Sequence, residues 1–564
     1  MNNRSGSQME WRILMALFFA ALAVRVIGLD HGVVLGDERI NEAAKVLTGQ
    51  LVPDQHFYPP LMNYLTAILF GFVYAVGRLI GTWPDAAAFR AQYFTDPTIF
   101  LVSARALVAA IGAISAPLFY RIARQLQFSK FEAVVVALFA IIAPISVYLS
   151  YIYKGDIPQA SATVFVVLCL IQKWNSPDSR MQDFCLGLAL TLALSIKHSF
   201  ILLMLPLFVG YIAVFWPHLG KARLMASLSR VCITGFVLWP LLNIGILLDL
   251  ENFLNFQKIQ AVMSITEGAS LLDALVLLVE RALHWQSGLG LLMPIAFAVF
   301  PLLAHRAPYA GVTLMIWLAF IAGMVLVAHL VRLRQPEHLW VSFFVVMQLF
   351  GALTLVLFAR VLRPLGWAMT GTAAILAMIG CIGIWRETLA RPIANDIAVY
   401  LQTQHAGRKA VTGVPLPLQQ SRAAQDYEFA IVDRTAAKYN IALPERAEER
   451  RVAPDAENAY FVLPIPAVMF GLEDATDAEL EGKIRAYAWP PQEIDWTLDN
   501  WVDDDITLFV VTNLAYLQNE TPSEMLRLFY NDLATRCAVA IEFAPRKPLF
   551  LERQITVLDC AKKS

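Results

Sequence analysis

The chain has 564 residues, of which 58% are hydrophobic and only 16% charged, and its mean hydropathy is +0.57. This composition excludes a soluble protein of the same length, which needs more charge to cover its surface, and repeated apolar runs of about 20 residues indicate a polytopic membrane protein. The formal net charge of −1 identifies no partner, and no nucleic-acid ligand is expected.

The first apolar run, residues 11–29, is long enough to span and is followed by no small-residue cleavage site. We therefore interpret it as a retained helix rather than a signal peptide. Ten further runs have the length and apolar composition of spans: 98–120, 131–149, 156–172, 184–197, 199–216, 229–249, 288–304, 309–330, 338–358 and 365–385. The sequence thus predicts an α-helical protein with about eleven spans in residues 1–385.

The segment 61–81 either spans the membrane or lies in the interface as an amphipathic helix. The positive-inside rule favours the interface, because basic residues of short loops then collect on one side. These are Arg4, Arg12, Arg121, Arg124, Lys130, Lys173, Arg180, Lys221, Arg223, Arg230, Arg306, Arg360 and Arg363. We therefore expect a cytoplasmic N-terminus and a first external loop, residues 30–97, that carries interfacial helices.

Residues 386–564 have a different composition, with strand-like runs such as ITLFVVT and CAVAIEF separated by helical segments. They predict a soluble α/β domain, which an odd number of spans places outside the cytoplasm. Cys537 and Cys560 flank two strands of this domain, and an external compartment permits a disulfide, but the sequence does not decide whether one forms.

Ionisable residues on the predicted outer side lie at helix ends and in the first loop. Any one of them is explained by snorkelling or helix capping, but Arg105 lies inside a span, where an ionisable group requires a partner. The candidates are Asp37, Glu38, His56, Tyr58, Arg105, Lys154, Asp156, Lys197, His198, Arg334 and His338. Cations that face a carboxylate pair at the membrane surface suit a lipid with an anionic head group.

The order and spacing of several short motifs resemble those of the C-type fold glycosyltransferases that use polyprenyl-phosphate sugars. The likeness is greatest to the branch with the protein O-mannosyltransferases and the lipid A aminoarabinose transferases. It rests on the Asp37-Glu38 pair, HFYPPLMNYL, SARALVAAIGAISAPLFYRIARQL, PISVYLSYIYKGDIP, GLALTLALSIKHSF, LLDLENFLNFQ and RQPEHLW.

The resemblance implies an inverting transferase that moves one sugar from a polyprenyl phosphate to an acceptor hydroxyl on the outer face of a bacterial inner membrane. Asp37 is the expected general base, and Glu38 supports it or binds a sugar hydroxyl or a metal. Donor binding is expected from Tyr58, Arg105, Lys154, Asp156, Lys197, His198, Arg334 and His338, whose Arg and Lys members stabilise the phosphate. The acceptor is a lipid, a glycan or a protein.

Two alternatives concern the cofactor and the class of protein. His56 and Glu38 are candidate ligands for a divalent metal, and the sequence does not decide whether a metal is required. A transporter or flippase of a lipid-linked or anionic substrate also explains many spans with few charges, but such proteins tend to have two related halves, and none are visible here. A polymerase or ligase of lipid-linked glycans shares the donor type.

Overall fold

The computed structural model divides the chain into two compact units. The first contains residues 1–31, 35–76 and 98–386, and the second contains residues 32–34, 77–97 and 387–564. The structure describes residues 3–33, 38–54, 56–264, 270–283, 292–305, 307–331, 337–414, 416–418, 436–437, 439–443, 460–462, 497–503, 506–520, 524–547 and 552–561.

Helices dominate the described residues as far as position 389. The first ten are α1 (Asn3–Val26), α2 (Ile40–Val46), α3 (Leu61–Leu79), α4 (Ala86–Thr95), α5 (Thr98–Ala113), α6 (Ser115–Gln125), α7 (Lys130–Ile141), α8 (Pro144–Leu149), α9 (Asp156–Asn175) and α10 (Arg180–Ile196). After a short 3-10 turn, His198–Phe200, follow α11 (Ile201–Leu242), α12 (Ile244–Leu248), α13 (Leu250–Ser264), α14 (Leu271–Leu283), α15 (Leu292–Ala304), α16 (Ala310–Val331), α17 (Glu337–Val361) and α18 (Arg363–Leu389).

Seven helical segments of the described chain are long and apolar enough to cross a membrane. They are Leu61–Leu79, Thr98–Gln125, Asp156–Asn175, His198–Leu242, Ala310–Val331, His338–Val361 and Arg363–Gln404. The longest contains the predicted span 199–216 and most of the predicted span 229–249, and it is interrupted at Gly220, whose φ of 68° is not helical. The helical membrane fold is confirmed, whereas the count of eleven spans and the interfacial position of 61–81 stay predictions.

A buried arginine completes the break between α7 and α8. Pro144 opens α8, and the residue before it is extended, so the carbonyls at the end of α7 lack helical donors. Arg25 Nη2 donates to Ala140 O at 2.7 Å, and Nη1 donates to Ile141 O at 3.3 Å. The Arg25 side chain is therefore buried in the protein and binds backbone carbonyls, although its position near the end of α1 is typical of a basic residue that anchors a helix at the membrane surface.

The basic loops meet at one end of the first unit. Arg360 forms a bidentate ion pair with Glu132, and Asn175 donates to Gln125 O. Close to this end, Asp183 is fully buried and pairs with Lys173 at 2.6 Å and with Arg230 at 2.7 Å, which joins α9, α10 and α11. The bundle therefore concentrates cations at one end, which is the asymmetry that the positive-inside argument uses.

The second unit contains a five-stranded sheet in the order β2-β1-β3-β5-β4. Its strands are β1 (Lys409–Thr412), β2 (Tyr460–Val462), β3 (Ile506–Thr512), β4 (Ala538–Phe543) and β5 (Ile555–Asp559). β1 is parallel to β2 and β3, and β5 is antiparallel to β3 and β4. The helices are α4 and then α19 (Ile393–Gln404), α20 (Leu498–Asp503), α21 (Leu514–Glu520) and α22 (Glu524–Arg536), and apolar clusters cover both faces of the sheet.

The register of the last two strands decides whether Cys537 and Cys560 can form a disulfide. Ala538 lies opposite Asp559 in the antiparallel β4–β5 pair, so the preceding Cys537 and the following Cys560 become neighbours. The structure joins them in a disulfide.

Helices α10 and α11 pack so closely at Gly187 that a side chain there has no room. A Cβ at this position would lie 2.7 Å from Thr234 Cβ and 2.8 Å from the backbone oxygen of Val231. We predict that Gly187→Ala lowers the free energy of unfolding by about 1–3 kcal/mol, measured by thermal or denaturant unfolding in detergent.

The matched control is Gly371→Ala in α18, where an added Cβ meets nothing within 4 Å. It should leave stability unchanged or slightly raised, because alanine favours a helix. Equal stability of the two variants would contradict the packing described for α10 and α11.

Candidate active site

Glu38 and Arg105 form a buried ion pair at the start of the first loop. Arg105 Nε donates to Glu38 Oε1 at 2.7 Å and Nη2 donates to Oε2 at 2.6 Å, while Nη1 donates to Leu29 O at 2.9 Å. Glu38 Oε1 also accepts the backbone N–H of Tyr153 at 2.8 Å. The intramembrane arginine thus has the partner that its position demands, and it fixes the residue next to Asp37.

A second group of charges surrounds the start of α9. Lys197 Nζ lies 2.5 Å from Asp156 Oδ1, and Lys154 and His338 are close enough to interact electrostatically with the same carboxylate. Asp156 is 1% exposed, and its Oδ2 accepts no hydrogen bond from the described residues. Four of the predicted site residues, from three separate motifs, are therefore brought together.

The LLDLENFLNFQ motif folds over the first loop and holds His56. Its Asp249 Oδ2 lies 2.8 Å from His56 Nε2, which donates the hydrogen bond, and Gln257 donates to the backbone oxygen of His56. The Phe253 ring stands 5.7 Å from that of His56 and 5.1 Å from that of His198. The motif is visible in the sequence, but its contact with His56 is not, because Asp249 and Gln257 lie 193 and 201 residues after His56.

Tyr64 fastens the same two segments. Its hydroxyl donates to Leu51 O at 3.0 Å and accepts the N–H of Gly245 at 2.9 Å. A Cβ on Gly245 would lie 2.2 Å from Leu51 O, so glycine is required for this approach. The residues 51–64 are held by α12 and α13 as well as by the rest of the bundle.

A pocket opens between these groups. Its lining includes Arg39, Glu42, Tyr58, Asn63, Tyr153 and Lys154. Tyr58 and Lys154 were predicted from the sequence, whereas the other four were not. Arg39 and Glu42 lie on the turn of helix after the Asp-Glu pair, and only their spacing from Glu38 could have suggested them.

Burial tunes two groups of this pocket. It raises the pKa of Glu42, an effect that Lys45, Arg39 and His56 oppose, and it raises the pKa of the Tyr153 hydroxyl. Arg39 stacks over the ring of Phe57 with its Cζ 4.1 Å from the centroid. The pocket therefore offers fixed polar groups on aromatic walls.

Two predicted residues, Asp37 and Arg334, lie outside the described residues. The described residues also give the two candidate metal ligands separate partners, since Glu38 binds Arg105 and His56 binds Asp249. Within the described ranges, no group of three or more His, Cys, Asp or Glu side chains is arranged to hold a metal ion. The metal site stays a prediction, and no catalytic step is derived through it.

Residues 13–261 match the model of the dolichyl-phosphate-mannose-protein mannosyltransferase family. The matched segment is less than half of the chain, but it contains the first loop, Arg105, Asp156, Lys197 and the whole LLDLENFLNFQ motif. The resemblance inferred from the motifs is thereby confirmed. The chain is a glycosyltransferase. This class, together with the apolar spans, makes the protein an integral membrane enzyme and removes support from the transporter alternative.

Several solved structures resemble the glycosyltransferase in fold. ArnT from Cupriavidus metallidurans bound to undecaprenyl phosphate has 14% sequence identity and a TM-score of 0.45, covering 100% of this chain and 99% of ArnT. The oligosaccharyltransferase AglB from Archaeoglobus fulgidus, in complex with an inhibitory peptide and a dolichol-phosphate, has 10% identity and a TM-score of 0.46, covering 91% and 70%. The arabinofuranosyltransferase AftD from Mycobacteria has 14% identity and a TM-score of 0.41, covering 97% and 41%. No curated protein sequence matches the glycosyltransferase.

Removal of Arg105 should destabilise the glycosyltransferase, because it leaves Glu38 buried and charged without its partner. The side chains of Arg105 and Glu38 are 3% and 0% exposed. We predict that Arg105→Gln lowers the free energy of unfolding by about 3–5 kcal/mol, and that adding Glu38→Gln to it recovers a large part of this loss.

Arg223→Gln is the matched control for this prediction. Arg223 pairs with Asp178 at 3.2 Å, but both side chains are about two-thirds exposed, so little stability should be lost. Equal losses in the two arginine variants, measured by unfolding in detergent, would contradict the role assigned to the buried pair.

Proposed function

We propose that the enzyme transfers a single sugar from a polyprenyl phosphate to an acceptor hydroxyl, with inversion at the anomeric carbon. The observation that carries the proposal is the pocket that Lys154 lines together with Phe57 and Tyr58 of the first loop. Lys154 also interacts electrostatically with Asp156 of the Lys197–Asp156 pair. A cation such as Lys154 suits a phosphate head group, and aromatic side chains suit the apolar face of a sugar ring.

The reaction needs a base and a stabilised leaving group. The acceptor oxygen attacks the anomeric carbon from the side opposite the phosphate, the bond between that carbon and the phosphate oxygen breaks, and the polyprenyl phosphate leaves with the bonding electrons. The proton of the acceptor hydroxyl passes to the Asp37 carboxylate. Lys154, Lys197 and Arg334 stabilise the negative charge that develops on the phosphate.

Glu38 and Arg105 have a positioning role in this mechanism. The sequence predicts that Arg105 binds the donor phosphate, but its three guanidinium nitrogens donate to Glu38 and to Leu29 O. We assign it instead to holding the backbone beside Asp37. Asp249 binds His56, and the Phe253 ring contacts both His56 and His198. We assign these histidines to supporting the part of the first loop that carries Tyr58.

The asymmetry of the basic loops supports the proposed orientation. The candidate site and the cation-rich end of the bundle contain opposite ends of α9, since Asp156 begins that helix and Lys173 lies in its last turn. We propose that the basic end is cytoplasmic and that the chemistry occurs on the periplasmic or extracellular side of a bacterial inner membrane. The disulfide of the C-terminal unit separately favours a position of that unit outside the cytoplasm.

The experiment compares cells that carry wild-type protein, Asp37→Asn or Asp178→Asn, the last being a surface carboxylate that serves as the control. Loss of a general base should lower transfer about 100- to 10,000-fold. Mass spectrometry of polyprenyl-phosphate sugars and surface glycans should therefore find one donor accumulating and one glycan without a sugar residue in Asp37→Asn alone. Unchanged pools with folded Asp37→Asn protein would overturn the assignment of Asp37.

A further inference from the structure

We infer that Glu42 and Asn63 form the sugar-reading end of the pocket, where Glu42 accepts a hydrogen bond from a hydroxyl or amino group of the donor sugar. This inference rests on the proposed function and adds to it the residues that select the sugar. Asn63 lies in the HFYPPLMNYL motif but is not among the predicted site residues, and Glu42 lies in none of the motifs that carry the resemblance.

Glu42 has one carboxylate oxygen occupied and one available. The side chain belongs to α2, is 5% exposed and lines the pocket. Its Oε2 accepts the backbone N–H of Asp54 at 3.1 Å, whereas no described residue donates a hydrogen bond to Oε1. Within the described residues Oε1 therefore has no donor, and a ligand that enters the pocket can supply one.

Asn63 provides the complementary group. Its Oδ1 lies 3.5 Å from the Tyr153 hydroxyl, which leaves the amide nitrogen as a donor with no described acceptor. Phe57, Tyr58 and Tyr153 also line the pocket. Hydrogen-bonding groups of both kinds beside aromatic rings fit a carbohydrate, whose hydroxyls alternate with apolar C–H faces.

Lys154 and Glu42 line the same pocket but suit different parts of the donor. The cation suits the phosphate, which every polyprenyl-phosphate donor has in common. The carboxylate suits the sugar, which differs between donors. Removal of Glu42 should therefore change discrimination between donors, whereas removal of Lys154 should weaken the binding of all of them.

The test is equilibrium binding to purified full-length protein in nanodiscs. The probes are undecaprenyl phosphate and its mannose, glucose, galactose and 4-amino-4-deoxyarabinose derivatives. Wild-type protein should bind at least one sugar lipid more tightly than undecaprenyl phosphate. Glu42→Ala should reduce that gain about 10-fold or more and leave the affinity for undecaprenyl phosphate unchanged.

Glu42→Gln identifies the sugar group, because glutamine keeps an acceptor but loses the charge. If Glu42 binds a sugar hydroxyl, the Glu42→Gln variant should retain most of the gain in affinity. If Glu42 binds an amino group, the variant should lose as much affinity as Glu42→Ala. Asp54→Asn is the control, since it removes the ion pair with Lys45 but keeps the N–H that Glu42 accepts.

Two results would overturn the inference. The first is that Glu42→Ala keeps the full gain in affinity for the sugar lipid. The second is that Glu42→Ala binds undecaprenyl phosphate and the sugar lipids equally more weakly and unfolds at a lower temperature, which indicates a structural role alone. Failure of the proposed function is recognised separately, because wild-type protein would then gain affinity from none of the sugars.

Discussion

The bidentate pair of Glu38 and Arg105 is the interaction on which the candidate site depends. Two opposite charges inside a membrane bundle are costly to desolvate, so the pair stabilises only this one arrangement of the first loop, α5 and the backbone at Tyr153. The pair fixes Glu38, the residue next to Asp37 in the sequence. In the proposed function Asp37 is the general base, and a base must be held within hydrogen-bond reach of its substrate, so the fixed position of its neighbour supports that proposal.

The far side of the loop is held by different chemistry. Asp249 and Gln257 bind His56, and Tyr64 joins Leu51 to Gly245. These hydrogen bonds come from one short segment after α11, so a displacement of α12 and α13 would release the loop wall that carries Tyr58. The pocket thus has one wall fixed by buried ions and another fixed by a segment at the end of a long helix.

The apolar runs predicted the helical fold well, because the length of a span is set by the membrane and not by its neighbours. The run 131–149 was predicted as one span, whereas the structure divides it before Pro144 into α7 and α8. Arg25 was not recognised as a partner of carbonyls in α7. Among the site residues, Lys154, Asp156, Lys197 and His338 were predicted together because short motifs mark them. Arg39 and Glu42 could not be predicted, since a pocket wall depends on contacts between distant segments. Asn63 lies in the HFYPPLMNYL motif, but the motif alone does not show that it lines a pocket.

The central claim is that the sugar leaves a polyprenyl phosphate at this pocket. The most direct measurement reconstitutes wild-type and Asp37→Asn protein in liposomes with polyprenyl-phosphate sugars and glycans extracted from the native cells. The account predicts that only wild-type protein releases polyprenyl phosphate, one molecule for each sugar joined to the acceptor. Movement of the sugar lipid between leaflets without release of polyprenyl phosphate would contradict it.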